Sequence, residues 1–379
     1  MGNRINAVLK EMSSQLDLNR RELLDANAID IENCDNTDKS LLDRLYINDE
    51  KIDGMISSLI QVMNRESPLY KTLYSFQHEN GITISNKTVP FGTIMIIYES
   101  RPDVTVEATA TALKSGNKII LKGGKEAKKS NLFLHACWMR SLKAVGLDEN
   151  QIRYLDMDRL TLQKFLREPD TSIDLIIPRG GEKLIEYVKS VAQCPVLVSG
   201  RGNNFLYVSE TADLSMAKRL IVQSKISKIS ACNALDKVLV NETISDSFIH
   251  ELTNELLKQE VEIIQSPNDK VWMEEFLDKK IVLEKVSGLQ EAIKIINKFS
   301  GKHSATIVGK DEAEVDEFMN NVDCAAVYHN ASTRFTDGFQ FGLGAEMAIS
   351  TGKLHHRGPL GVEHLVTNKW YIRGNGQTR

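Results

Sequence analysis

Short apolar runs rich in β-branched residues alternate with longer amphipathic stretches from about residue 92 to residue 199. The runs have the length of buried strands, and the stretches between them have the spacing of helices. Strands that alternate with helices form right-handed crossovers, and therefore a parallel sheet with helices on both faces. The pattern predicts strands at 93–99, 117–122, 151–156, 173–178 and 195–198, and helices at 104–115, 126–145 and 181–193.

A second series of the same kind occupies the region from residue 235 to residue 329. Between the two series, residues 213–231 predict a helix that passes into a polar loop ending at Cys232. The chain is therefore expected to be α/β with a second α/β domain. The second series predicts strands at 236–241, 280–286, 303–308 and 325–329, and helices from about 245, at 288–299 and at 311–321.

The two ends of the chain differ from this core. The residues before residue 78 have a helical pattern throughout, whereas 81–90 and 365–373 resemble strands. Two strands from opposite ends of a chain could pair in an oligomerisation flap, and we therefore expect a homo-oligomer, a dimer or higher.

Composition and charge narrow the class of protein. Of 379 residues, 42% are hydrophobic and 26% are charged, which is typical of a soluble globular chain. The 47 Lys and Arg residues against 51 Asp and Glu residues give a formal charge of −4, so no electrostatic attraction to nucleic acid or to an anionic membrane is expected. No apolar run approaches the roughly 20 residues that span a bilayer, and the amphipathic N-terminal stretch has no signal-peptide block. We expect a cytoplasmic protein.

The five cysteines are odd in number and widely spaced, and no CxxC pair occurs. A disulfide framework, a structural zinc and a metal site are therefore not expected. Cys232 differs from the others because it lies in a loop at a domain junction, with Lys225 and Lys228 nearby to favour its thiolate. A buried structural cysteine remains the alternative for these residues alone.

Two glycine-containing turns follow predicted strands of the first series. The turn 122-KGGKEAKK-129 opens a helix, and Lys122 and Lys125 add positive charge where a nucleotide phosphate would bind. The turn 178-PRGG-181 suits a pyrophosphate contact in the same way. A solvated basic helix start and an ordinary turn are the alternatives.

A long polar segment, 330-NASTRFTDGFQFGLGAE-346, follows the last predicted strand. Its Ser332, Thr333 and Arg334 are the residue types that hold a carboxylate or a phosphate. Together with Asn330 and Lys225 they form the predicted substrate site. A long surface loop is the alternative, although structureless loops of this length are uncommon in compact domains.

Taken in order, these segments resemble the gamma-glutamyl phosphate reductase family, a branch of the aldehyde dehydrogenase superfamily. The resemblance is carried by 90–127, by IDLIIPRGG at 173–181, by SACNALDKVLV at 230–240, and by 330–346 with ISTGKLHHRGPLG at 349–361. It implies reduction of L-glutamyl 5-phosphate to the semialdehyde with NADPH, with release of phosphate, as part of proline biosynthesis. It also implies a cofactor-binding domain over 1–224, with 79–90 in the flap, a catalytic domain over 225–333, and a return segment with an oligomerisation strand over 334–379.

The resemblance also implies roles for single residues. Cys232 aligns with the nucleophile that forms the thioester, and Asp103 aligns with the oxyanion-hole asparagine of the superfamily. The implied cofactor contacts are Lys122 and Lys125 for the adenosine ribose and its 2′-phosphate, Gly180 and Gly181 for the pyrophosphate, and Glu275 for the nicotinamide ribose.

This chain departs from the family pattern at three places, of which the first is that its start aligns near what resembles the family's second helix. The other two lie close to the expected active site. The family reads His-Gly/Ala-Asp-Gly-x-Cys-His where this chain reads Ser-Gly-Arg-Gly-Asn-Asn-Phe over 199–205, and Lys228 replaces the usual Arg. Val198 aligns with the glutamate that activates water in hydrolytic aldehyde dehydrogenases, so no hydrolysis is expected.

The departures leave two alternatives open, a reductase of another acyl phosphate or acyl-CoA, and a non-catalytic paralogue. The implied partners are a small-molecule substrate and glutamate 5-kinase.

Overall fold

The computed structural model describes residues 2–34 and 39–379, and the chain divides into two compact units. The first unit comprises residues 1–198, 342–348 and 360–379, and the second comprises 199–341 and 349–359. The division therefore falls after residue 198, not after residue 224 as the sequence suggested. The difference arises because a strand in the segment 201–231, which we had not predicted, joins the second sheet.

The first unit is built on a four-stranded parallel sheet in the order β5–β4–β3–β6. Successive side chains of a strand point to opposite faces, so Ile94 and Ile96 enter one core while Met95 and Ile97 enter another. Both faces are covered, as the continuous apolar runs predicted. The strands are β3 (Thr93–Tyr98), β4 (Lys118–Lys122), β5 (Ile152–Tyr154) and β6 (Leu175–Arg179).

Eight helices belong to the described part of this unit. The first face of the sheet is covered by α1, α4, α5 and α6, and the second face by α7 and α8. The predicted strand at 195–198 is wrong in extent, since Val196 forms only an isolated bridge with Ile176. The helices are α1 (Gly2–Leu18), α2 (Arg20–Glu32), α3 (Lys39–Leu45), α4 (Asp49–Asn64), α5 (Asp103–Lys114), α6 (Lys128–Val145), α7 (Arg159–Arg167) and α8 (Glu182–Val191).

A separate three-stranded antiparallel sheet also belongs to the first unit. It consists of β1 (Thr72–Gln77), β2 (Thr83–Pro90) and β15 (Val366–Arg373), with β2 in the middle. The predicted pairing of the two strand-like ends is confirmed, since β15 runs antiparallel to β2. The helical prediction before residue 78 is wrong for β1, whose alternating aromatic residues suit a strand. We call this sheet the flap.

The second unit contains a six-stranded parallel sheet in the order β12–β11–β7–β8–β10–β9. The strand β7, which the sequence analysis missed, lies at its centre. Residues 349–359 form a short hairpin of β13 and β14. The strands are β7 (Asn204–Val208), β8 (Leu235–Asn241), β9 (Glu262–Ile264), β10 (Lys280–Val286), β11 (Ser304–Val308), β12 (Ala326–His329), β13 (Ile349–Ser350) and β14 (Gly358–Pro359).

Helices cover both faces of this sheet as well. Phe205 and Tyr207 of β7 pack with α12 and α13, whereas Leu206 and Val208 pack with α9 and α10. The helices are α9 (Leu214–Ile226), α10 (Asp246–Lys258), α11 (Asp269–Met273), α12 (Leu289–Phe299) and α13 (Glu312–Asn321). Across residues 2–34 and 39–379, none of the helices combines the length and apolar character that crossing a bilayer requires.

One buried carboxylate connects the N-terminal helices to the helix that follows the KGGKE turn. Asp30 of α2 is 5% exposed, and it accepts hydrogen bonds from the backbone N–H groups of Lys129 at 2.9 Å and Ser130 at 2.8 Å. The Ser130 hydroxyl donates a third bond at 2.8 Å. These are amides of the first turn of α6, which have no partner within the helix, and the negative charge also complements the helix dipole. Asp30 therefore acts as a remote N-cap of α6.

We predict that Asp30→Ala lowers the free energy of unfolding by about 1–3 kcal/mol, because two buried amides and a hydroxyl lose their acceptor. Asp25→Ala is the matched control, since Asp25 is exposed on the same helix. Urea denaturation followed by circular dichroism measures both variants. Equal unfolding free energies for the two would show that the cap contributes nothing.

Candidate active site

The first unit brings its candidate cofactor residues to the carboxyl edge of its sheet. The strands β4 and β6 end at Lys122 and Arg179, and the glycine turns 123–124 and 180–181 follow them. Since the carboxyl ends of parallel strands share one edge, the two predicted turns lie on the same side of the sheet, where ligands of such folds bind.

The glycines of the first turn are required by close packing. A Cβ at Gly123 would overlap the amide of Asn131, and a Cβ at Gly124 would overlap the carboxylate of Glu126. Glu126 in turn accepts hydrogen bonds from the backbone N–H of Ser100 at 2.6 Å and from its hydroxyl at 2.8 Å. The turn after β4 is thereby fastened to the turn after β3.

The two lysines of this turn have different environments. Lys122 is half-buried, its Nζ donates to the carbonyl of Gly123, and burial lowers the pKa of its ammonium. Lys125 is exposed, in the single 3₁₀ turn Lys125–Ala127. The N-terminus of α6 is capped by Asp30, so the predicted role of that helix end as an anion site is not supported. Lys125 is therefore an exposed cation directly after the two glycines of the turn.

The second turn contains a carboxylate as well. Glu99 accepts a hydrogen bond from the backbone N–H of Gly181 at 3.0 Å, and a Cβ at Gly180 would overlap the Glu99 carboxylate. Gly181 is exposed and borders open space at the start of α8. A nucleotide phosphate bound here would therefore meet the Glu99 carboxylate at the helix end.

Asp103, predicted for the oxyanion, is the first residue of α5 and is half-buried. One turn further, Glu107 accepts a hydrogen bond from the Ser58 hydroxyl at 3.0 Å. Burial raises the pKa of Glu107 to about 8, and the nearby Asp103 charge adds to the effect while Arg179 opposes it. Burial thus favours the protonated form of Glu107. Sequence reasoning missed this residue, although its four-residue spacing from Asp103 on an apolar helix could have indicated it.

In the second unit, Cys232 lies on the loop between α9 and β8, at the amino edge of the sheet, and is half-buried. The neighbouring Asn233 is 4% exposed, and its amide donates to the carbonyls of Arg334 at 3.1 Å and Thr336 at 3.0 Å. The hydroxyl of Thr333 donates back to the carbonyl of Asn233 at 2.9 Å. These contacts place 333–336 directly against the loop of the candidate nucleophile.

Arg334 is the cation that the second unit places near Cys232. Its Nε donates to the hydroxyl of Ser227 at 3.1 Å. Burial lowers the pKa of the Arg334 guanidinium, whereas the charges of Cys232 and Asp337 act in the opposite direction. A guanidinium stays protonated in proteins, so Arg334 presents a positive charge within electrostatic reach of the thiol. Ser332 is nearby on the same segment and bonds to Ser224 of α9 at 2.6 Å.

The structure contradicts two predicted substrate contacts. Lys225 is completely buried, and its Nζ is paired with Asp236 at 2.9 Å, so it neither faces a ligand nor stays available to the thiol. Asn330 lies beyond the carboxyl end of β12, the opposite edge from Cys232, and its amide donates to the carbonyl of Gly309 at 3.0 Å. Both residues are structural because their polar atoms are already bonded. Lys228, in contrast, is exposed on the loop of Cys232.

Glu275 is half-buried in the segment that follows α11. The backbone N–H of Phe276 donates to Asp236 at 2.9 Å, and Lys237 donates to the carbonyl of Glu274 at 2.8 Å. Burial lowers the pKa of Lys237 to about 8, although the charge of Asp236 opposes this. The Glu275 segment is therefore fastened to β8, the strand that follows Cys232. The Asp236 and Lys237 contacts were not found from the sequence, where both residues read as part of a strand.

Within residues 2–34 and 39–379, no cluster of three or more His, Cys, Asp and Glu side chains is placed to hold a metal ion. All five cysteines lie in this part of the chain, and none forms a disulfide.

Comparisons with known proteins place these features in a family. The model described as "Aldehyde dehydrogenase family" matches residues 47–271. A gamma-glutamyl phosphate reductase of Clostridium kluyveri is 39% identical over 388 residues, which covers 99% of this chain and 93% of that protein. A gamma-glutamyl phosphate reductase of Clostridium perfringens is 41% identical over 392 residues and covers 100% and 94%.

Comparison with solved structures supports the same family. The crystal structure of gamma-glutamyl phosphate reductase from Thermotoga maritima has a TM-score of 0.94 and 38% identity, and it covers 100% of this chain and 95% of that chain. An acetylating aldehyde dehydrogenase from Geobacillus thermoglucosidasius has a TM-score of 0.75 at 16% identity, with 100% and 93% covered, which supports the fold alone. The expected α/β, aldehyde dehydrogenase-like fold is confirmed. The chain belongs to the aldehyde dehydrogenase family, in its gamma-glutamyl phosphate reductase branch.

Proposed function

We propose that this oxidoreductase reduces L-glutamyl 5-phosphate to L-glutamate 5-semialdehyde and phosphate with NADPH, through a thioester on Cys232. The observation that carries the proposal is the second-unit arrangement of Cys232 on a loop held by Asn233, with Arg334 in electrostatic reach. Similarity to the gamma-glutamyl phosphate reductases over nearly the whole chain supports the substrate class.

The reaction begins at the Cys232 sulfur. The positive charge of Arg334 favours the thiolate, which attacks the acyl carbonyl while backbone amides near Cys232 hold the oxyanion. We give that task to amides because an ionised Asp103 could accept a hydrogen bond but could not donate one. The acyl–phosphate bond then breaks, phosphate leaves with the electron pair, and Cys232 carries the thioester. After reduction, the hemithioacetal collapses to the aldehyde and releases the thiolate.

NADPH, when bound, supplies the hydride that reduces the thioester. The residues of the first unit fit its adenosine end, because Lys125 is exposed at the turn after β4 and Gly181 borders open space at the start of α8. We propose that Lys122 and Lys125 hold the ribose and its 2′-phosphate, and that Gly180 and Gly181 lie along the pyrophosphate. Glu275, on its fastened segment, is proposed for the nicotinamide ribose.

A second candidate is a reductase of another acyl phosphate or an acyl-CoA. It is favoured by one observation, that the divergent segment 199–205 lies directly against Cys232, where a Cβ on Gly202 would overlap the Cys232 carbonyl. A kinase that phosphorylates a carboxylate can supply an acyl phosphate, and glutamate 5-kinase is the partner that we propose for L-glutamyl 5-phosphate.

The test of function is the reverse reaction, with semialdehyde and NADP, followed by NADPH absorbance. We predict sustained turnover only when phosphate is present, because Val198 cannot activate a water to release the thioester. Without phosphate the sustained rate should fall by roughly 10²–10⁴-fold, the usual contribution of a general base. Cys232→Ala should abolish turnover, and Cys194→Ala should not. Sustained oxidation without phosphate would indicate a hydrolytic dehydrogenase, and activity in Cys232→Ala would exclude the thioester.

A second prediction concerns the choice of cofactor. We expect Lys125→Ala and Lys122→Met to raise the KM for NADPH about tenfold more than the KM for NADH, because only NADPH carries the 2′-phosphate. Lys129→Ala removes the same charge from an exposed position four residues further on and is the matched control. Equal changes in the two KM values would show that these lysines do not read the 2′-phosphate.

We also propose that the flap forms a contact between copies of this chain. Tyr74 and Phe76 of β1 share one face with Trp370 and Ile372 of β15, because the register places both pairs opposite the same residues of β2. Trp370 is 52% and Ile372 59% exposed, and the rings of Tyr74 and Trp370 meet edge to face. A contiguous apolar face of this kind is typical of an interaction surface.

Ile372→Lys should therefore shift the protein towards a smaller assembly, because a charge would be buried in that contact. Thr367→Lys adds the same side chain on the opposite face of β15 and should leave the assembly unchanged. Light scattering on a size-exclusion column gives the mass of each variant. A wild-type protein that is monomeric at micromolar concentration would refute the proposal.

A further inference from the structure

Asn204 contributes a buried amide to the loop of the candidate nucleophile. It is the first residue of β7 and is 0% exposed. Its Nδ2 lies 2.8 Å from the carbonyl oxygen of Gly202, 2.8 Å from that of Cys232 and 2.7 Å from that of Ala234. Two of these three acceptors belong to the loop that carries Cys232.

The chemistry of the three neighbours determines the orientation of this amide. Carbonyl oxygens only accept hydrogen bonds, so the NH₂ group must face them, and a flipped amide would place oxygen against oxygen. The NH₂ group has two hydrogens for three carbonyl oxygens, so one hydrogen is shared between two of these acceptors. The Oδ1 of Asn204 has no hydrogen-bond partner in the described structure, so the side chain acts as a donor.

Gly202 brings the same segment still closer to Cys232. A Cβ on Gly202 would overlap both the carbonyl oxygen and the Cα of Cys232, and the clash would be with backbone. Residues 202–204 therefore pack closely against the peptide group between Cys232 and Asn233. The loop is also held by Asn233, through its bonds with Thr333, Arg334 and Thr336, and by backbone bonds from Ala231 to Lys228 and from Ala234 to Ala231. Asn204 differs from these contacts because it bonds to the carbonyl of Cys232 itself.

Orientation of this peptide group determines where the thiol points. A trans peptide is planar, so holding the Cys232 carbonyl aims the N–H of Asn233 to the opposite side. It also sets the backbone of Cys232 and hence the direction of its Cα–Cβ bond. A nucleophile displaced by about 1 Å can lose on the order of 100-fold in rate.

We propose that Asn204 is a positioning residue that holds the Cys232 backbone in its reactive orientation. The proposal rests on the proposed role of Cys232 as nucleophile. It concerns the segment 199–205, which differs from the pattern that the family resemblance implies.

The experiment compares Asn204→Leu, which keeps the size and removes both donors, with Asn204→Ser, which keeps one. Asn241→Leu is the matched control, because Asn241 is a 5% exposed asparagine at the far end of β8 in the same sheet. Three quantities are measured on the folded proteins. The first is the rate at which iodoacetamide alkylates Cys232, measured by mass spectrometry of the peptide that contains this residue. The second is the pair of kinetic constants kcat and KM, and the third is the melting temperature.

We expect Asn204→Leu to change the alkylation rate at least fivefold and to lower kcat about 100-fold, with the affinity for NADPH within twofold of wild type. Asn204→Ser should lie between Asn204→Leu and wild type in both rates. Asn241→Leu should lower the melting temperature and leave alkylation and kcat unchanged.

Wild-type alkylation in Asn204→Leu would overturn the proposal, and so would an equal change in Asn241→Leu, which would indicate general loosening. If Asn204→Leu does not fold, wild-type alkylation in Asn204→Ser overturns it instead. Alkylation requires no substrate, so the positioning role is tested even if the protein does not reduce glutamyl phosphate.

Discussion

The second unit depends on one buried ion pair. Lys225 at the end of α9 and Asp236 at the start of β8 lie on either side of the Cys232 loop, and both are enclosed by protein. The second oxygen of Asp236 accepts from the backbone of Phe276, so the same carboxylate also holds the segment of Glu275. Removing one partner of such a pair typically costs 3–5 kcal/mol because a charge is left buried and uncompensated. Two candidate functional segments therefore share a single electrostatic anchor.

The first unit uses carboxylates in a different way. Asp30 accepts hydrogen bonds from two amides in the first turn of α6, and Glu99 accepts one from Gly181, the residue before α8. The starts of these two helices therefore already have a carboxylate of the chain beside them. In the proposed function, the positive contact to a phosphate at this edge would come from side chains such as Lys125 and not from these two helix starts.

The strands and helices with continuous apolar runs could be predicted from sequence because burial on both faces determines their composition. The strand β7 was missed because Asn203 and Asn204 stand immediately before its apolar residues, and polar residues there indicated a loop. Lys225 was misassigned for a related reason, since the pairing of a charge across eleven residues depends on tertiary packing. Thr333 and Arg334 were predicted to bind substrate from their residue types in a long polar segment, whereas their contacts to Asn233 and Ser227 depend on tertiary packing. The periodicity of apolar residues in the sequence indicates which residues are buried, but it does not indicate which polar groups pair with each other.

The pairing of β15 with β2 has a consequence for synthesis. The hydroxyl of Ser85 in β2 donates to the carbonyl of Tyr371 in β15, and the two residues are 286 positions apart in the chain. The central strand β2 therefore cannot pair with β15 until almost the entire chain has left the ribosome. At 5–20 residues per second this delay is roughly 15–60 s, during which β2 exposes an unpaired edge. A prematurely terminated chain would keep that edge permanently, together with the aromatic side chains of β1. Loss of residues 366–379, which include β15, would therefore create an aggregation-prone protein whose two parallel sheets are otherwise complete.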